Sequence, residues 1–358
     1  MSKNILDLRP ENAVKRLGSK SKVCLLSSKD ILNALKPESV IVIANNARIK
    51  HVIPGIMRAA RELDAVISFE LAKSEGNLKG GYTGMTPDIY FETVVGYAEE
   101  MGFTLPFFIH GDHVTTKSPA PDVVGDSRAL IEAELAAGYT SIAVDASFNE
   151  TGNNVKISTE LGRIAREAGA GLETEVGEIL GTGIDARITS VKDALDFMEG
   201  ITANGITPDL LAINNGSKHG NYKPGEEVHI DLKRTREIFD AISKWNVGIA
   251  QHGITGTPVH LLSQFADHGV RKGNVATLWQ NIAHKHLPPD LSKAIKAWCE
   301  KEKKDIKLAT AVFKKEINSI PDEYRKSIEQ EAYVNAREFL INFRAKGTAT
   351  KVIRKLTR

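Results

Sequence analysis

Short apolar runs of strand length recur along the chain at 40–44, 65–71, 106–110, 141–145, 171–175, 210–214, 248–251 and 273–276. Several are nearly continuous in apolar character instead of alternating, the pattern of parallel strands covered on both faces. The stretches between them carry helical periodicity and are long enough for crossover helices. The amphipathic run 126–138 ends at Gly138, a residue suited to a C-cap, just before the fourth strand, and 158–168 repeats the pattern before the fifth. Eight strand–helix units predict an α/β fold, a (β/α)8 TIM barrel. Residues 1–38 are expected to form a helical lead-in, 39–288 the barrel, and 289–358 a charged extension of the same domain, with helices over 294–308 and 322–343.

A barrel of this kind assembles its active site at the C-terminal ends of its strands. Asn45 and Asn46, Glu70, His110, Asp112 and His113, Asp145, Glu175, Asn214 with His219, His252, and Asn274 with Thr277 all lie at or just past a predicted strand end. Scattered structural polar residues would reach that placement only by coincidence. A histidine after a strand is, taken singly, most often structural. Several at strand ends beside an aspartate form a candidate set for a divalent metal and a proton-transfer group. A Schiff-base lysine is the other route to carbonyl chemistry, but none of these strand-end positions is lysine; Lys73 and Lys117 lie a little beyond. Loops after strands seven and eight of such barrels commonly bind phosphate. Here they supply Gly253-Ile254-Thr255-Gly256 and Asn274-Val275-Ala276-Thr277, with Thr255 and Thr277 as hydroxyl candidates. Gly216, Gly220 and Gly253 would let the backbone approach a ligand, and Lys223 is a nearby cation.

At 358 residues and 42% hydrophobic content the chain can bury a large core. Lys+Arg 47 against Asp+Glu 45, a net charge of +2, gives no global electrostatic reason to expect nucleic acid. The two cysteines, Cys24 and Cys299, are too far apart in sequence to suggest a metal pair or disulfide framework, which fits a reducing cytoplasm. No apolar run reaches membrane-spanning length, and the first residues lack the pattern of a secretory signal, so no membrane association is expected.

Over roughly residues 100–280 the chain resembles the class II, metal-dependent fructose-bisphosphate aldolases. The resemblance is carried by His110-Gly111-Asp112-His113, the passage from Ala136 to Ser147, Leu172-Glu173-Thr174-Glu175-Val176-Gly177, Gly216-Ser217-Lys218-His219-Gly220-Asn221-Tyr222-Lys223 and His252-Gly253-Ile254-Thr255-Gly256, in the family's order and spacing. Upstream, Gly80-Gly81-Tyr82-Thr83-Gly84-Met85-Thr86-Pro87 resembles a segment of the tagatose-bisphosphate aldolase accessory subunits. The first resemblance implies reversible cleavage of fructose 1,6-bisphosphate to dihydroxyacetone phosphate and glyceraldehyde 3-phosphate, a step of glycolysis and gluconeogenesis. It implies His113, His219 and His252 as ligands of Zn2+, with Co2+ or Mn2+ as substitutes. Asp112 would be the proton-transfer residue on the C4 hydroxyl, and Asp145 and Glu175 would provide an alternative metal position or support the ligands. Gly220, Gly253, Thr255, Asn274 and Thr277 would contact the sugar phosphate, and a homo-oligomer is expected.

Three segments depart from the family's pattern. Gly253-Ile254-Thr255-Gly256 stands where the family has Gly-Gly-Ser-Gly, and Asn274-Val275-Ala276-Thr277-Leu278 where it has Asn-x-Asp-Thr-Asp. A paired-acid loop after the Glu175 segment is also replaced, leaving Glu178 and Asp185 as candidates for its proton-exchanging base. These changes keep two further readings open: an aldolase for tagatose bisphosphate or another ketose phosphate, and a noncatalytic subunit that stabilises an aldolase. Presence of all three histidines and Asp112 argues against the second.

Overall fold

The computed structural model describes residues 4–177, 188–217, 220 and 228–358. Eight parallel strands close a barrel in chain order: β1 (Val42–Asn46), β2 (Ile67–Ala72), β3 (Phe107–Thr115), β4 (Ser141–Asp145), β5 (Gly171–Val176), β6 (Leu210–Ile213), β7 (Gly248–Gln251) and β8 (Val270–Val275), with β8 pairing back to β1. The fold is the expected (β/α)8 TIM barrel. The amphipathic run before β4 lies in the helix Pro121–Ala137, closed by Gly138 at φ 106°, and the next lies in Thr151–Glu167.

β1 and β2 begin two residues later than expected, and the larger differences, in β3 and β8, have physical reasons. β3 continues past the expected end at His110 to Thr115, so Asp112 and His113 belong to the strand and not to a loop behind it. Its register with β4 shifts between Gly111 and Val114, and His113 takes a left-handed φ of 41° there. β8 starts at Val270, ahead of the expected 273, because it contains Arg271 and Lys272, charges that read as a loop. Lys272 is nonetheless wholly buried.

The barrel interior is stratified. Toward the N-terminal ends of the strands, Val42, Phe108, Leu210, Ala212 and Ala250 join an apolar cluster with Leu26, with Leu32 of the helix Ser28–Leu35 and with Val352 of the helix Thr348–Leu356. Buried polar side chains also enter the interior: His110 further along β3 than Phe108, Glu70 from β2, Glu173 from β5 and Lys272 from β8. The larger apolar core lies in the sleeve between strands and surrounding helices.

Segments beyond β8 wrap back over the barrel. The helix Asp322–Asn342 lies along Ile53–Leu63 where Gly55 permits close approach, since a Cβ there would sit 2.2 Å from the Glu329 carbonyl oxygen. Arg58 fastens the contact, pairing with Glu329 at 2.9 Å and placing its guanidinium 4.1 Å from the Tyr333 ring centroid. The Gly80–Gly84 segment forms a turn against Glu75. Gly81 is at φ 55°, where a Cβ would lie 2.4 Å from the Glu75 carbonyl oxygen, and the Thr83 hydroxyl donates to that oxygen at 2.8 Å. Lys314, from the C-terminal part of the chain, donates to the Gly84 carbonyl.

Because the Gly55 contact is backbone against backbone, Gly55→Ala should destabilise the protein by about 1–3 kcal/mol through overpacking. Gly125→Ala, in the helix Pro121–Ala137 with open space around the new methyl, should be neutral or stabilising by up to about 1 kcal/mol. Thermal melts followed by circular dichroism distinguish the two; equal shifts would mean that the helix contact yields easily.

Candidate active site

Successive side chains of a regular strand point to opposite faces. The shift in β3 and the left-handed backbone of His113 break that alternation, so Asp112 and His113 both face a cavity of about 680 Å³ at the barrel mouth. A non-glycine residue in this conformation costs about 1–2 kcal/mol, a local strain that aims two neighbouring functional groups at one space.

His252, just past β7, approaches from across the barrel. Its Nδ1 lies 2.5 Å from His113 Nε2, with the rings perpendicular. Each imidazole is held from behind by a carboxylate: His113 Nδ1 lies 2.6 Å from Glu175 Oε1, and His252 Nε2 lies 2.8 Å from Glu173 Oε1. Asp145, 3.5 Å from His113 Nδ1, is itself fixed by donation from the Ser147 and Thr115 hydroxyls. Convergent inner nitrogens and carboxylate-bound outer nitrogens are the arrangement in which histidines ligate a divalent metal. His113 and His252 also group with Asp112 closely enough for one ion. Burial works against a charged His113, but Glu175 and Asp112 outweigh it and raise its pKa well above the ordinary imidazole value. A metal entering here would displace that proton.

Asp112 is held between two amides, Asn46 Nδ2 from β1 at 2.9 Å and Asn274 Nδ2 from β8 at 3.0 Å. Burial pushes its carboxyl upward, yet the charges of His113 and Lys272 hold it well below the usual carboxylate range, so it is ionised. Beneath it lies a second charged layer. Lys272 Nζ sits 3.0 Å from Glu173 Oε2 and 3.2 Å from Glu70 Oε2. His110 belongs to this layer: its Nδ1 meets the Ser141 hydroxyl at 2.6 Å, and burial, with repulsion from Lys272, pushes its pKa down to about 3. It is a neutral structural imidazole.

Asp112, His113, Asp145, Glu175, Gly220, Gly253, Thr255, Asn274 and Thr277 all line the one cavity. His219, Glu178, Asp185 and Lys223 lie outside the described residues. Asn274, expected on the substrate, gives its amide N–H to Asp112, while its carbonyl oxygen is buried with no hydrogen-bond donor among the described residues. Thr255 accepts from Leu278 N at 3.2 Å and so joins the seventh and eighth loops. Glu70 was among the strand-end polar residues of the sequence, but Glu173 and Lys272 escaped the sequence reading. A period of two places Glu173 on the side of Glu175 and Lys272 on the side of Asn274, and that signal would have found them. Neither Lys73 nor Lys272 favours a Schiff base: Lys73 is paired with Asp126 at 2.7 Å, and the Lys272 ammonium, despite burial, is held charged by Glu173 and Glu70.

The fold is a TIM barrel with imidazoles and carboxylates gathered at its mouth. The family profile described as fructose-bisphosphate aldolase class-II matches residues 26–336. The chain is 27% identical over 310 residues to a fructose-bisphosphate aldolase of Thermus caldophilus, covering 84% of this chain and 90% of that protein. It is 27% identical over 256 residues to the one from Geobacillus stearothermophilus, covering 71% and 81%. In architecture it is similar to the crystal structure of fructose-bisphosphate aldolase from Campylobacter jejuni, with a TM-score of 0.65 at 17% identity over 97% of this chain and 99% of that one, a likeness of fold alone. The chain belongs to the class II fructose-bisphosphate aldolase family and is a carbon–carbon lyase.

His110 makes the site's stability pH-dependent. Its folded pKa is depressed, so as pH falls from the unfolded value of about 6.5 toward about 3 the unfolded chain takes up a proton that the native chain refuses. Its contribution is present above that window and should decline by up to about 2 kcal/mol on going to about pH 5. Urea titrations near pH 7 and about pH 5 should show a shallower loss in His110→Gln than in the parent; identical slopes would mean that His110 is not neutral in the fold.

Proposed function

We propose that the chain catalyses the metal-dependent, reversible cleavage of fructose 1,6-bisphosphate to dihydroxyacetone phosphate and glyceraldehyde 3-phosphate, the step shared by glycolysis and gluconeogenesis, with zinc, cobalt or manganese as the ion and the cytoplasm as its setting. The observation that carries this reading is the pair His113 Nε2 and His252 Nδ1, 2.5 Å apart beside Asp112, each braced by a carboxylate. His113 and His252 would hold the metal with His219, the third ligand by family resemblance. When bound, the ion supplies Lewis-acid withdrawal of electron density from the ketose carbonyl.

Asp112 performs the proton transfer. Held ionised between Asn46 and Asn274, it accepts the C4 hydroxyl proton as the C3–C4 bond breaks and the C4 oxygen becomes the aldehyde carbonyl. The bonding electrons stay with the three-carbon fragment. In the synthetic direction the same carboxyl group returns the proton to C4. Glu178 and Asp185 are the proposed exchangers of the proton at C3. Thr255 and Thr277 receive the phosphate of the three-carbon fragment. Because Thr255 accepts from Leu278 N, its own hydroxyl hydrogen is available to a phosphate oxygen, and the N-terminus of the helix Thr277–Lys285 adds a favourable dipole.

A chelator should abolish cleavage, and zinc, cobalt or manganese should restore it, in a coupled assay that follows dihydroxyacetone phosphate release. Full turnover by metal-free protein, or a substrate adduct trapped on lysine by borohydride, would remove this mechanism. Running tagatose 1,6-bisphosphate beside the fructose isomer settles which C4 configuration is preferred.

Asp112→Asn keeps the shape but removes the accepting carboxylate, so metal content should persist while kcat falls by about 10² or more. His113→Ala should instead lose bound metal. Elemental analysis beside steady-state kinetics separates the two effects, and normal turnover by Asp112→Asn would move the proton-transfer role elsewhere.

A further inference from the structure

We infer that Lys272 is a positioning residue for the metal site: its ammonium group, sealed inside the barrel, clamps Glu173 so that the other oxygen of that carboxylate fixes the orientation and tautomer of His252. This rests on the reading of His113 and His252 as metal ligands.

Glu173 divides its two oxygens between different tasks. Oε2 is 3.0 Å from Lys272 Nζ, while Oε1 is 2.8 Å from His252 Nε2. With its Nε2–H given to Oε1, His252 turns the lone pair of Nδ1 toward His113 Nε2, where a ligand nitrogen has to face. A competitor for the carboxylate stands beside it. Ser141 accepts a hydrogen bond from the Ser28 hydroxyl and gives its own hydrogen to His110 Nδ1, so the Nε2–H of His110 points toward Glu173 Oε2 from 3.6 Å. A carboxylate free to rotate could swing onto His110 and release His252. Lys272 occupies Oε2 and prevents that rotation, and Glu70, 3.2 Å away on its other side, holds the ammonium in place.

Packing alone does not account for a lysine here. The position is fully buried, the side chain lies among strand residues, and an apolar chain of similar length would fill the space without the cost of desolvating a charge. The charge is therefore assigned to what it holds. None of Lys272, Glu70 or Glu173 lines the substrate cavity, so Lys272 acts on the chemistry through its neighbours, on His252 by way of Glu173 and on Asp112 through its charge; zinc affinity reads the first.

The test is zinc affinity, measured by chelator competition, together with the visible spectrum of the cobalt-substituted protein. Lys272→Met should bind zinc about 10- to 100-fold more weakly, the usual consequence of losing an outer partner of a ligating histidine, and should change the cobalt spectrum. The double variant Lys272→Met/Glu70→Gln removes the ammonium together with the carboxyl group on its other side; its zinc affinity should stay low, because Glu173 is still unclamped. Full recovery in the double variant would reduce Lys272 to a counterion for Glu70 and overturn the inference. Wild-type zinc affinity and cobalt spectrum in Lys272→Met would do the same. Nitrogen-15 NMR of the metal-free parent provides a check that needs no variant: His252 should carry its proton on Nε2, and a proton on Nδ1 overturns the inference. A parent protein that binds no divalent metal sinks the metal-site reading itself, whereas a parent that binds zinc no better than Lys272→Met sinks only the role of Lys272.

Discussion

A carboxylate leaves water at tolerable cost only in the company of a cation or of hydrogen-bond donors, and the inside of this barrel removes Glu70, Asp112, Asp145, Glu173 and Glu175 from water together. The compensating groups are few and specific: the Lys272 ammonium, the imidazoles of His113 and His252, and the amides of Asn46 and Asn274. Losing one partner of a buried pair costs about 3–5 kcal/mol, so each group holds its neighbours to one arrangement. The apolar layer beneath and the helical sleeve around it keep solvent out, which strengthens every attraction among these charges. The site is ordered before any ligand arrives.

The mouth of the barrel is built by a segment whose role was not apparent from its composition. The Gly80–Gly84 turn wraps Glu75, and Glu75 in turn receives Arg48 at 2.5 Å and Asn46 at 3.1 Å. Asn46 is the same amide that holds Asp112. A glycine-rich turn well away from the barrel axis is thereby connected, through two hydrogen bonds on one side chain, to the residue proposed to move the proton. Lys314 grips the outside of this turn, and Lys307 from the same C-terminal region lines the cavity.

Much of the architecture was legible because buried parallel strands are apolar along their whole length, a pattern that sequence displays directly. Legibility stopped where function intrudes on strand structure. Arg271 and Lys272 disguised the start of β8, since a charged pair reads as a loop, and only the closed barrel reveals the carboxylates that make a buried lysine tolerable. Gly111 to His113 looked like a loop because a bulge and a left-handed residue have no apolar signature. Glu175 was singled out and Glu173 was not, although both lie on one face of β5; motif reading favoured the residue nearer the strand end over the one that braces a histidine from below. Which amide reaches which carboxylate, as with Asn274 and Asp112, depends on strand neighbours far apart in the chain.

β3 and β7, which bring His113 and His252 together, lie diametrically opposite in a ring of eight strands. A ring deforms most readily by ovalisation, shortening one diameter while lengthening the one at right angles to it. Anything gripped by both imidazoles is a strut along one such diameter, so the roundness of the barrel and the occupancy of its mouth become a single mechanical variable. Substitutions in the sleeve that squeeze or relax this cross-section would be felt at the two histidines without touching them.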